Sequence, residues 1–249
     1  MSEPASVTAP APSRRARLRA DMIDQIKTVA RQQLAEQGPG GISLRGIARE
    51  IGTASSALFR YFPSHNDLIT ALVVDAYDSL ADAVTAAANV KPSGDHAGRW
   101  LAIGQAYRHW SLGDTPAFAL THGTPLPGYQ APAEITGPPA GRALEVPLRA
   151  YADAVHDSAA DPGRSTVPES MGTGPLLPSL LGDRASAYEP RLAAIVLGAR
   201  ASMAGYLTAE IFGSLASLVT DTDALYCAHI VSQMLDMGYD PAHVGALPR

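Results

Sequence analysis

The sequence predicts an all-α protein in which a small three-helix domain precedes a larger helical domain. Along most of the chain, apolar residues recur three and four positions apart, the spacing that places them on one face of a helix. No two segments alternate apolar and polar residues in the manner of paired strands. Hydrophobic residues make up 46% of the 249 positions, a fraction that is enough to build a substantial core.

The N-terminal part predicts a basic arm and a first helix. Residues 1–13 show no apolar pattern, and residues 1–19 are predicted to form a disordered arm. The arm ends in four clustered arginines, Arg14, Arg15, Arg17 and Arg19. A helix is predicted from about Asp21 to Gln37 because one apolar face recurs within it, formed by Ile23, Ile26, Ala30 and Leu34.

Two short helices follow, joined by a glycine. Ser43 is a good N-cap for the second helix, and Gly52 should end it because glycine tolerates the left-handed conformation common at helix ends. The third helix is short, roughly 54–62, and turns three bulky residues inward or sideways, Leu58, Phe59 and Phe62. Ser64 and Asp67 then form a capping box that opens a fourth helix.

Two domains are predicted. Residues 20–65 form the small three-helix domain, and residues 66–249 form the larger helical domain. In the second domain, helices are predicted at about 64–88, 96–112, 116–122, 139–158, 189–217 and 222–237. Prolines make 123–139 an irregular connection, because each removes a backbone donor. The Gly/Pro-rich residues 160–178 are expected to be mobile.

Charge is distributed unevenly along the chain. Residues 1–70 contain nine Lys or Arg against six Asp or Glu, whereas the remainder contains ten against eighteen. A basic head on an acidic body is expected if only the head meets a polyanion.

The front helices fit a helix-turn-helix, in which the third helix enters a DNA major groove about 12 Å wide. The leading side of this helix is slim and consists of Thr53, Ser55, Ser56 and Ala57. Short hydroxyls contact phosphates or base edges without bidentate readout, so sharper base selection is expected from Arg45, Arg60 or the arm in a minor groove. The alternatives are a plain three-helix core subdomain and an arm that only increases solubility.

The stretch GISLRGIAREIGTASSALFRYFPSHNDLITAL, within residues 20–72, resembles the DNA-binding segment of the TetR family of transcriptional regulators. Spacing and residue type agree at Ile47-Ala48, Gly52, Leu58-Phe59-Arg60-Tyr61-Phe62, Ser64 and Leu68. The resemblance implies DNA contacts from Arg17, Ser43, Arg45, Thr53, Ala54, Ser55, Ser56, Phe59, Arg60, Tyr61 and His65. Tyr61 either contacts a phosphate through its hydroxyl or packs in the small core.

Three positions depart from the family's usual pattern. Ala54 stands where the family has a Ser that caps helix three, so Thr53 or Ser55 is expected to take over. Phe59 replaces a Tyr, which removes one hydroxyl from the phosphate side. His65 replaces a Lys that contacts phosphate in the family, and this change is expected to weaken non-specific affinity by about one phosphate contact.

The rear domain resembles a C-terminal subclass of TetR-like regulators that often carries a Trp-x-x-x-His-Gly motif. Residues 106–129 resemble its Trp-containing helix and Pro-Gly-Tyr loop, and RASMAGYLTAEIFGSL resembles the helix that holds the motif. The motif positions here are Arg200, Ala204 and Gly205. The roles of the Trp and His therefore cannot be carried over.

In the family, the last two long helices form a four-helix dimer interface, and the middle helices enclose an effector cavity. Residues 189–237 fit a homodimer interface because they are apolar on more than one face and must be buried against something. The candidate cavity lining is Trp100, Tyr107, Trp110, Phe118, His122 and Tyr206, with His109 as a further polar anchor. Core packing is the alternative for each aromatic, and a structural hydrogen bond is the alternative for each histidine.

The sequence holds none of the motifs G-x-S-x-G, H-E-x-x-H, a Cys pair or a phosphate-cradling glycine loop. No catalytic residue, metal ligand or cofactor is therefore predicted. The single Cys227 excludes an internal disulfide and is expected to be a buried apolar residue, with a reactive thiol as the alternative. With no apolar run of ~18 residues and no secretory h-region, the chain is predicted to be cytoplasmic, without a membrane partner.

The sequence therefore predicts a dimeric DNA-binding transcriptional regulator, a repressor released from a palindromic double-stranded operator by a small, mainly apolar effector. The alternative is a helical small-molecule-binding or dimerisation protein whose head has lost its affinity for DNA.

Overall fold

A computed structural model describes residues 13–123, 126 and 128–245 of the chain. Across these residues the regular structure is helical, and the one β feature is an isolated antiparallel bridge between Ala160 and Tyr239. The prediction of an all-α fold is therefore confirmed.

The chain divides into two compact units, Met1–Leu68 and Ile69–Arg249. The described residues of the first unit form a 3-10 turn at Pro39–Gly41, three helices and the beginning of a fourth. These helices are α1 (Arg14–Gln37), α2 (Leu44–Ile51), α3 (Ser55–Leu58) and α4 (His65–Val90).

The first helix begins at Arg14 rather than near Asp21, so the prediction of a disordered arm was wrong for the arginine cluster. Residues 1–12 of that arm lie outside the described residues. Ser13 is the N-cap, and its Oγ accepts a hydrogen bond from the Ala16 N–H at 3.2 Å. The cluster contains Arg, Ala and Leu without Gly or Pro, and these residues have high helix propensity. The apolar face starts only later, which is why periodicity placed the start too far along.

The first unit has a small core of its own. Most of the predicted apolar residues contribute to it, although Ile23 and Ile51 are only half-buried, and the buried hydrophobic side chains are Ile26, Val29, Ala30, Leu34, Ile42, Leu44, Ile47, Ala48, Leu58, Phe62 and Leu68. Leu58 is 1% exposed, and full burial of a leucine contributes roughly 2 kcal/mol. The core therefore packs against the side of α3 that carries Leu58, and Ser56 on another side of α3 stays exposed.

The second unit continues α4 and adds seven helices among its described residues. These are α5 (His96–Gly113), α6 (Thr115–His122), α7 (Ala133–His156), α8 (Leu176–Leu181), α9 (Pro190–Ile211), α10 (Thr222–Asp236) and α11 (Pro241–Gly245). Three of them begin at an aspartate whose carboxylate accepts a backbone N–H three residues on, namely Asp95, Asp114 and Asp221. Helix ends set by such caps agree closely with the predicted starts.

The core of the second unit is built around α5, which packs against α7, α9 and α10. Gly104 allows α5 and α10 to approach closely, because a Cβ at this position would lie 2.6 Å from Ile230 Cδ1 of α10. Trp100 is 1% exposed and meets Tyr151 of α7 edge-on, with ring centroids 6.2 Å apart.

The helix α7 begins at Ala133, within a segment that the sequence predicted to be irregular. Pro138 and Pro139 lie inside it, so their helical hydrogen bonds are missing. Close packing of α8 on α7 compensates for the missing hydrogen bonds. The α7 backbone at Gly141 lies so near the Leu180 carbonyl of α8 that a Cβ on residue 141 would clash with that carbonyl. The prediction was wrong because a tertiary contact overrides the local effect of the prolines.

The helix α9 ends at Ile211 rather than near residue 217. By length and composition it could cross a membrane, with a mean hydropathy of 1.4 over 18 residues, a test that core helices of soluble proteins also pass. In this fold α9 buries Val196, Met203 and Leu207 in the core of the second unit. A third of the apolar window is buried in this way.

Candidate DNA interface and effector cavity

The turn between α2 and α3 has the geometry that the sequence predicted. Gly52 adopts the left-handed conformation with φ 75° and ψ 32°, and Ser43 caps the other end of α2 by accepting the Gly46 N–H at 3.2 Å. The Thr53 N–H donates to the Ala48 carbonyl at 2.9 Å, which closes the turn. Two helices are thereby set at an angle by local chemistry alone.

The start of α3 is open to solvent. Ala54 and Ser56 are exposed and Thr53 and Ser55 are half-buried, so the slim side predicted to meet DNA is not covered. Ala54 is the N-cap, and no side chain caps the helix. The expectation that Thr53 or Ser55 would replace the usual serine cap was therefore wrong, since neither hydroxyl reaches a free N–H of the first turn.

The predicted cationic contacts are also exposed, namely Arg17, Arg45 and Arg60. Of the three bulky residues expected to face inward or sideways, Leu58 and Phe62 are buried, whereas Phe59 is 48% exposed and is left free to make the predicted DNA contact. Leu58 occupies the inner side of α3, and the next side chain lies about 100° further round the helix axis. Phe59 therefore presents an apolar surface beside the arginines.

Tyr61 is half-buried within the first unit and lies against a cation. The Arg19 guanidinium carbon is 5.3 Å from the centre of the Tyr61 ring, a cation–π distance. This contact agrees with the packing alternative for the ring. A phosphate contact through its hydroxyl stays a prediction.

The loop that precedes α2 is tied to helices on both sides. The Gln33 side chain of α1 accepts the Ser43 N–H at 2.9 Å, and the His65 Nε2–H donates to the Ile42 carbonyl at 3.0 Å. His65 therefore braces this loop, a role the sequence did not suggest. Gln33 was also missed, and its signal was a polar residue on the buried side of α1, beside Leu34.

The six side chains predicted to line one effector cavity fall into three separate places. Trp100 packs with Tyr151 and Tyr239, and Tyr206 packs with Tyr226 and donates its hydroxyl to the Thr222 carbonyl at 2.9 Å. The prediction of a single cavity was wrong for these two. Four members do come together, Tyr107, Trp110, Phe118 and His122. His109, the further anchor, is exposed.

The four clustered side chains surround a polar centre. The Tyr107 hydroxyl lies 2.9 Å from His122 Nε2, and Arg200 of α9 approaches the same nitrogen at 3.3 Å. Burial raises the pKa of Tyr107 to about 12. Burial, followed by the charge of Arg200, lowers the pKa of His122 to about 3. Both groups are therefore neutral at physiological pH.

A small cavity of about 20 Å³ lies beside this centre and has room for about one water. Its polar lining is Tyr107 and Arg200, and its other walls are mainly aliphatic, including Leu80, Val84, Ile103 and Met203. Sequence reasoning noted Arg200 only as the position of a missing Trp. A charged residue in the middle of an apolar helix was the signal that could have singled it out.

One exposed face of the second unit is apolar and built from small residues. On α10 it follows helical spacing through Ala224, Leu225, Ala228, Ser232 and Leu235, and on α9 it includes Gly198, Ala201, Ser202 and Gly205. A groove of about 830 Å³ runs along the α10 part. Cys227, which also lines this groove, is half-buried rather than fully buried. Among the described residues no group of three or more His, Cys, Asp or Glu side chains could hold a metal ion.

Two family models match the chain. Residues 26–72 match the bacterial regulatory proteins of the tetR family, and residues 100–232 match a tetracyclin repressor-like C-terminal domain. The Trp-x-x-x-His-Gly subclass stays a prediction.

Three similar proteins come from sequence and structure comparison. The HTH-type transcriptional regulator Mb1846 of Mycobacterium bovis is 40% identical over 141 residues, which cover 55% of this chain and 58% of the relative. The chain thus matches little more than half the length of that curated relative. The crystal structure of the regulatory protein SCO4313 is 30% identical, with a TM-score of 0.69 over 90% of this chain and 99% of that one. RolR in complex with resorcinol shares the fold at 18% identity and a TM-score of 0.50, over 94% of this chain and 97% of its own.

The family matches cover both the head and most of the second unit, and the first of them coincides with the α2–Gly52–α3 turn. The chain therefore belongs to the TetR family, whose members are DNA-binding transcriptional regulators and not enzymes.

Proposed function

We propose that the chain is a homodimeric cytoplasmic repressor that leaves a palindromic operator when a small molecule binds in the second unit. The observation that carries the proposal is the uncovered, slim start of α3. Ala54 and Ser56 are exposed there, with Arg45 and Arg60 exposed nearby in the sequence. A helix end of this width fits the major groove, and the arginines supply phosphate or base contacts.

Dimerisation is supported by the exposed small-residue face of α9 and α10. Gly205 and Ala228 present little side chain, so two such faces can approach closely, and Leu225 and Leu235 add apolar area. A face of this kind packed on its own copy gives a twofold pair. Two heads related by that twofold axis would read half-sites about one helical turn apart.

Release by a small molecule is supported by the cluster around Tyr107, His122 and Arg200. RolR, which shares the fold, is known in complex with resorcinol. An effector shifts the equilibrium only if it binds the DNA-incompetent conformation more tightly than the competent one. Widening the small cavity of about 20 Å³ is a change that only the effector-bound conformation would contain.

Footprinting on the gene's own upstream region tests the proposal. We expect a protected palindrome and an affinity that falls steeply with salt, as counterion release requires. Arg45→Ala should weaken protection strongly, whereas Arg149→Ala, an exposed arginine of α7, should not. Absence of any protected site, with a flat salt dependence on random duplex DNA, would favour a binding protein with an inactive head.

A further inference from the structure

Arg200 carries a positive charge that no acidic side chain balances within the part of the chain that the structure describes. It is half-buried, and its hydrogen bond runs from Nη2 to His122 Nε2 at 3.3 Å. No carboxylate of the described residues pairs with it. Arg108 of α5 offers the contrast, because it donates two hydrogen bonds to Glu210, at 2.8 and 2.6 Å.

The single acceptor that Arg200 reaches is already in use. The Thr121 hydroxyl donates to the Ala117 carbonyl at 3.0 Å, so its oxygen accepts the His122 Nδ1–H at 2.8 Å. The lone pair of His122 therefore lies on Nε2. Tyr107 donates its hydroxyl to that nitrogen at 2.9 Å, which leaves the longer contact from Arg200 as a second donor on one lone pair. A guanidinium has five N–H donors, and among the described residues those of Arg200 have only this one protein acceptor, so a ligand could accept from the others.

Among the described residues that line the cavity, Arg200 is the one charged side chain. Tyr107 and His122 are neutral, and the aliphatic walls of the cavity contain Leu80, Val84 and Met203. Charged groups removed from water are normally paired, since the unpaired state is costly. One positive charge beside an apolar cavity is therefore complementary to a molecule with one negative charge and an apolar body.

We propose that the effector is a small organic monocarboxylate whose carboxylate binds Arg200 and whose apolar part lies against Leu80, Val84 and Met203. This inference rests on the proposed function and narrows it from a mainly apolar molecule to an organic anion. A planar guanidinium and a carboxylate form two parallel hydrogen bonds, stronger than those between neutral groups. Because the cavity holds about 20 Å³, binding must widen it by displacing the helices that form its walls.

Calorimetric titration of the full-length protein tests the chemical class directly. The probes are benzoate and hexanoate, each compared with its neutral amide, benzamide or hexanamide, at constant ionic strength. We expect at least one acid to bind ten or more times more tightly than its amide. Equal behaviour of acids and amides, including failure of all four to bind, overturns the proposal.

Variants locate the site. Arg200→Gln should remove the preference of the protein for the acid, and Arg200→Lys should keep part of it, because lysine retains the charge without the planar fork. Arg149→Gln, a change at an exposed arginine of α7, should leave it intact. If Arg200→Gln binds the acid as the unchanged protein does, the assignment is wrong. If that variant fails to fold by circular dichroism, the acid–amide comparison and Arg200→Lys decide the question.

The same protein preparation separates this inference from the proposed function. Binding to duplex DNA without any preference for acids overturns the carboxylate site and leaves the regulator intact. Preference for an acid without any DNA binding supports the site and contradicts the regulator. Release of DNA by the preferred acid, and not by its amide, supports both.

Discussion

Replacement of His65 by lysine produces two effects of opposite sign in the DNA-binding head. The imidazole Nε2–H donates to the Ile42 carbonyl at 3.0 Å and so braces the loop before α2. Lysine is the residue that the family resemblance associates with phosphate contact at this place. His65→Lys should therefore weaken the brace and add a cation facing the DNA.

The loss of stability follows from one hydrogen bond. A neutral N–H···O=C bond contributes about 1 kcal/mol net, and leaving a carbonyl unsatisfied costs about 1–3 kcal/mol when it is buried. The bond is partly buried, and Ile42 is 5% exposed. Because the lysine ammonium can still approach the carbonyl, we expect the free energy of unfolding to fall by about 1 kcal/mol.

The gain in DNA affinity follows from counterion release. Each phosphate contact contributes about −0.9 to the slope of log K against log salt concentration, so two heads add about −2. Between about 50 and 200 mM salt, the affinity of the variant should fall roughly tenfold more than that of the unchanged protein. A random duplex of about 30 base pairs is enough for the measurement, because the electrostatic contribution does not depend on sequence.

Fluorescence anisotropy with the labelled duplex and urea denaturation measure the two effects separately. His109→Lys, the same chemical change at an exposed position of α5, is the matched control and should alter neither quantity much. An unchanged salt slope in His65→Lys would refute the placement of the α4 start beside the DNA backbone. Unchanged stability would refute the bracing role of the imidazole.

Two further predictions concern the stability of the second unit. Glu210→Gln should lower the free energy of unfolding by about 2 kcal/mol in urea denaturation, because Arg108 loses a charge-assisted pair of hydrogen bonds. The hydrogen bond from Arg108 holds the pKa of Glu210 below its usual value. The stabilisation by this pair is therefore complete above about pH 4.5 and is lost as the pH falls further. Equal loss of stability in acid for the variant and the unchanged protein would contradict this role of Glu210. Gly141→Ala should cost about 1–3 kcal/mol because its Cβ would clash with the Leu180 carbonyl, whereas Gly137→Ala in the same helix would lie at ordinary contact distances, 3.7 Å from Leu180 Cδ2 and 3.9 Å from the Ser179 carbonyl oxygen, and should be tolerated. Equal thermal stability of the two alanine variants would show that α8 does not pack closely on α7.

Local signals made the head predictable. Ser43 caps α2, Gly52 adopts the left-handed conformation, and Ser64 with Asp67 forms the capping box, with hydrogen bonds of 2.8 and 3.1 Å. Each of these depends on residues within a few positions, so the sequence alone is sufficient. The brace between Gln33 and Ser43 joins residues ten apart on different elements, and no periodicity indicates it.

The effector site was only partly predictable because periodicity assigns a face and not a neighbour. Trp100 and Tyr107 lie on the same side of α5, seven residues and therefore roughly 10 Å apart. At that distance they meet different partners, Tyr151 of α7 for the first and His122 of α6 for the second. Similarly, α7 forms through its prolines because α8 packs on Gly141, and only the folded chain contains that contact.

If the proposed effector site is correct, the contacts that stabilise the second unit and the contacts that respond to the effector lie on different flanks of α5. Tyr107 and Arg108 are adjacent, so their side chains diverge by about 100° around the helix. Arg108 is paired with Glu210 of α9. Tyr107 instead contacts His122, which in turn contacts Arg200 of α9. Arg200 and Glu210 are ten residues and therefore roughly 15 Å apart along α9.

A ligand that pairs with Arg200 would widen one flank of α5, while the ion pair on the other flank resists separation of α5 from α9. The two helices would then tilt relative to each other rather than move apart. Such a tilt requires the two flanks to act independently. Glu210→Gln should accordingly change stability without changing the preference of the protein for the acid, and Arg200→Gln should do the reverse.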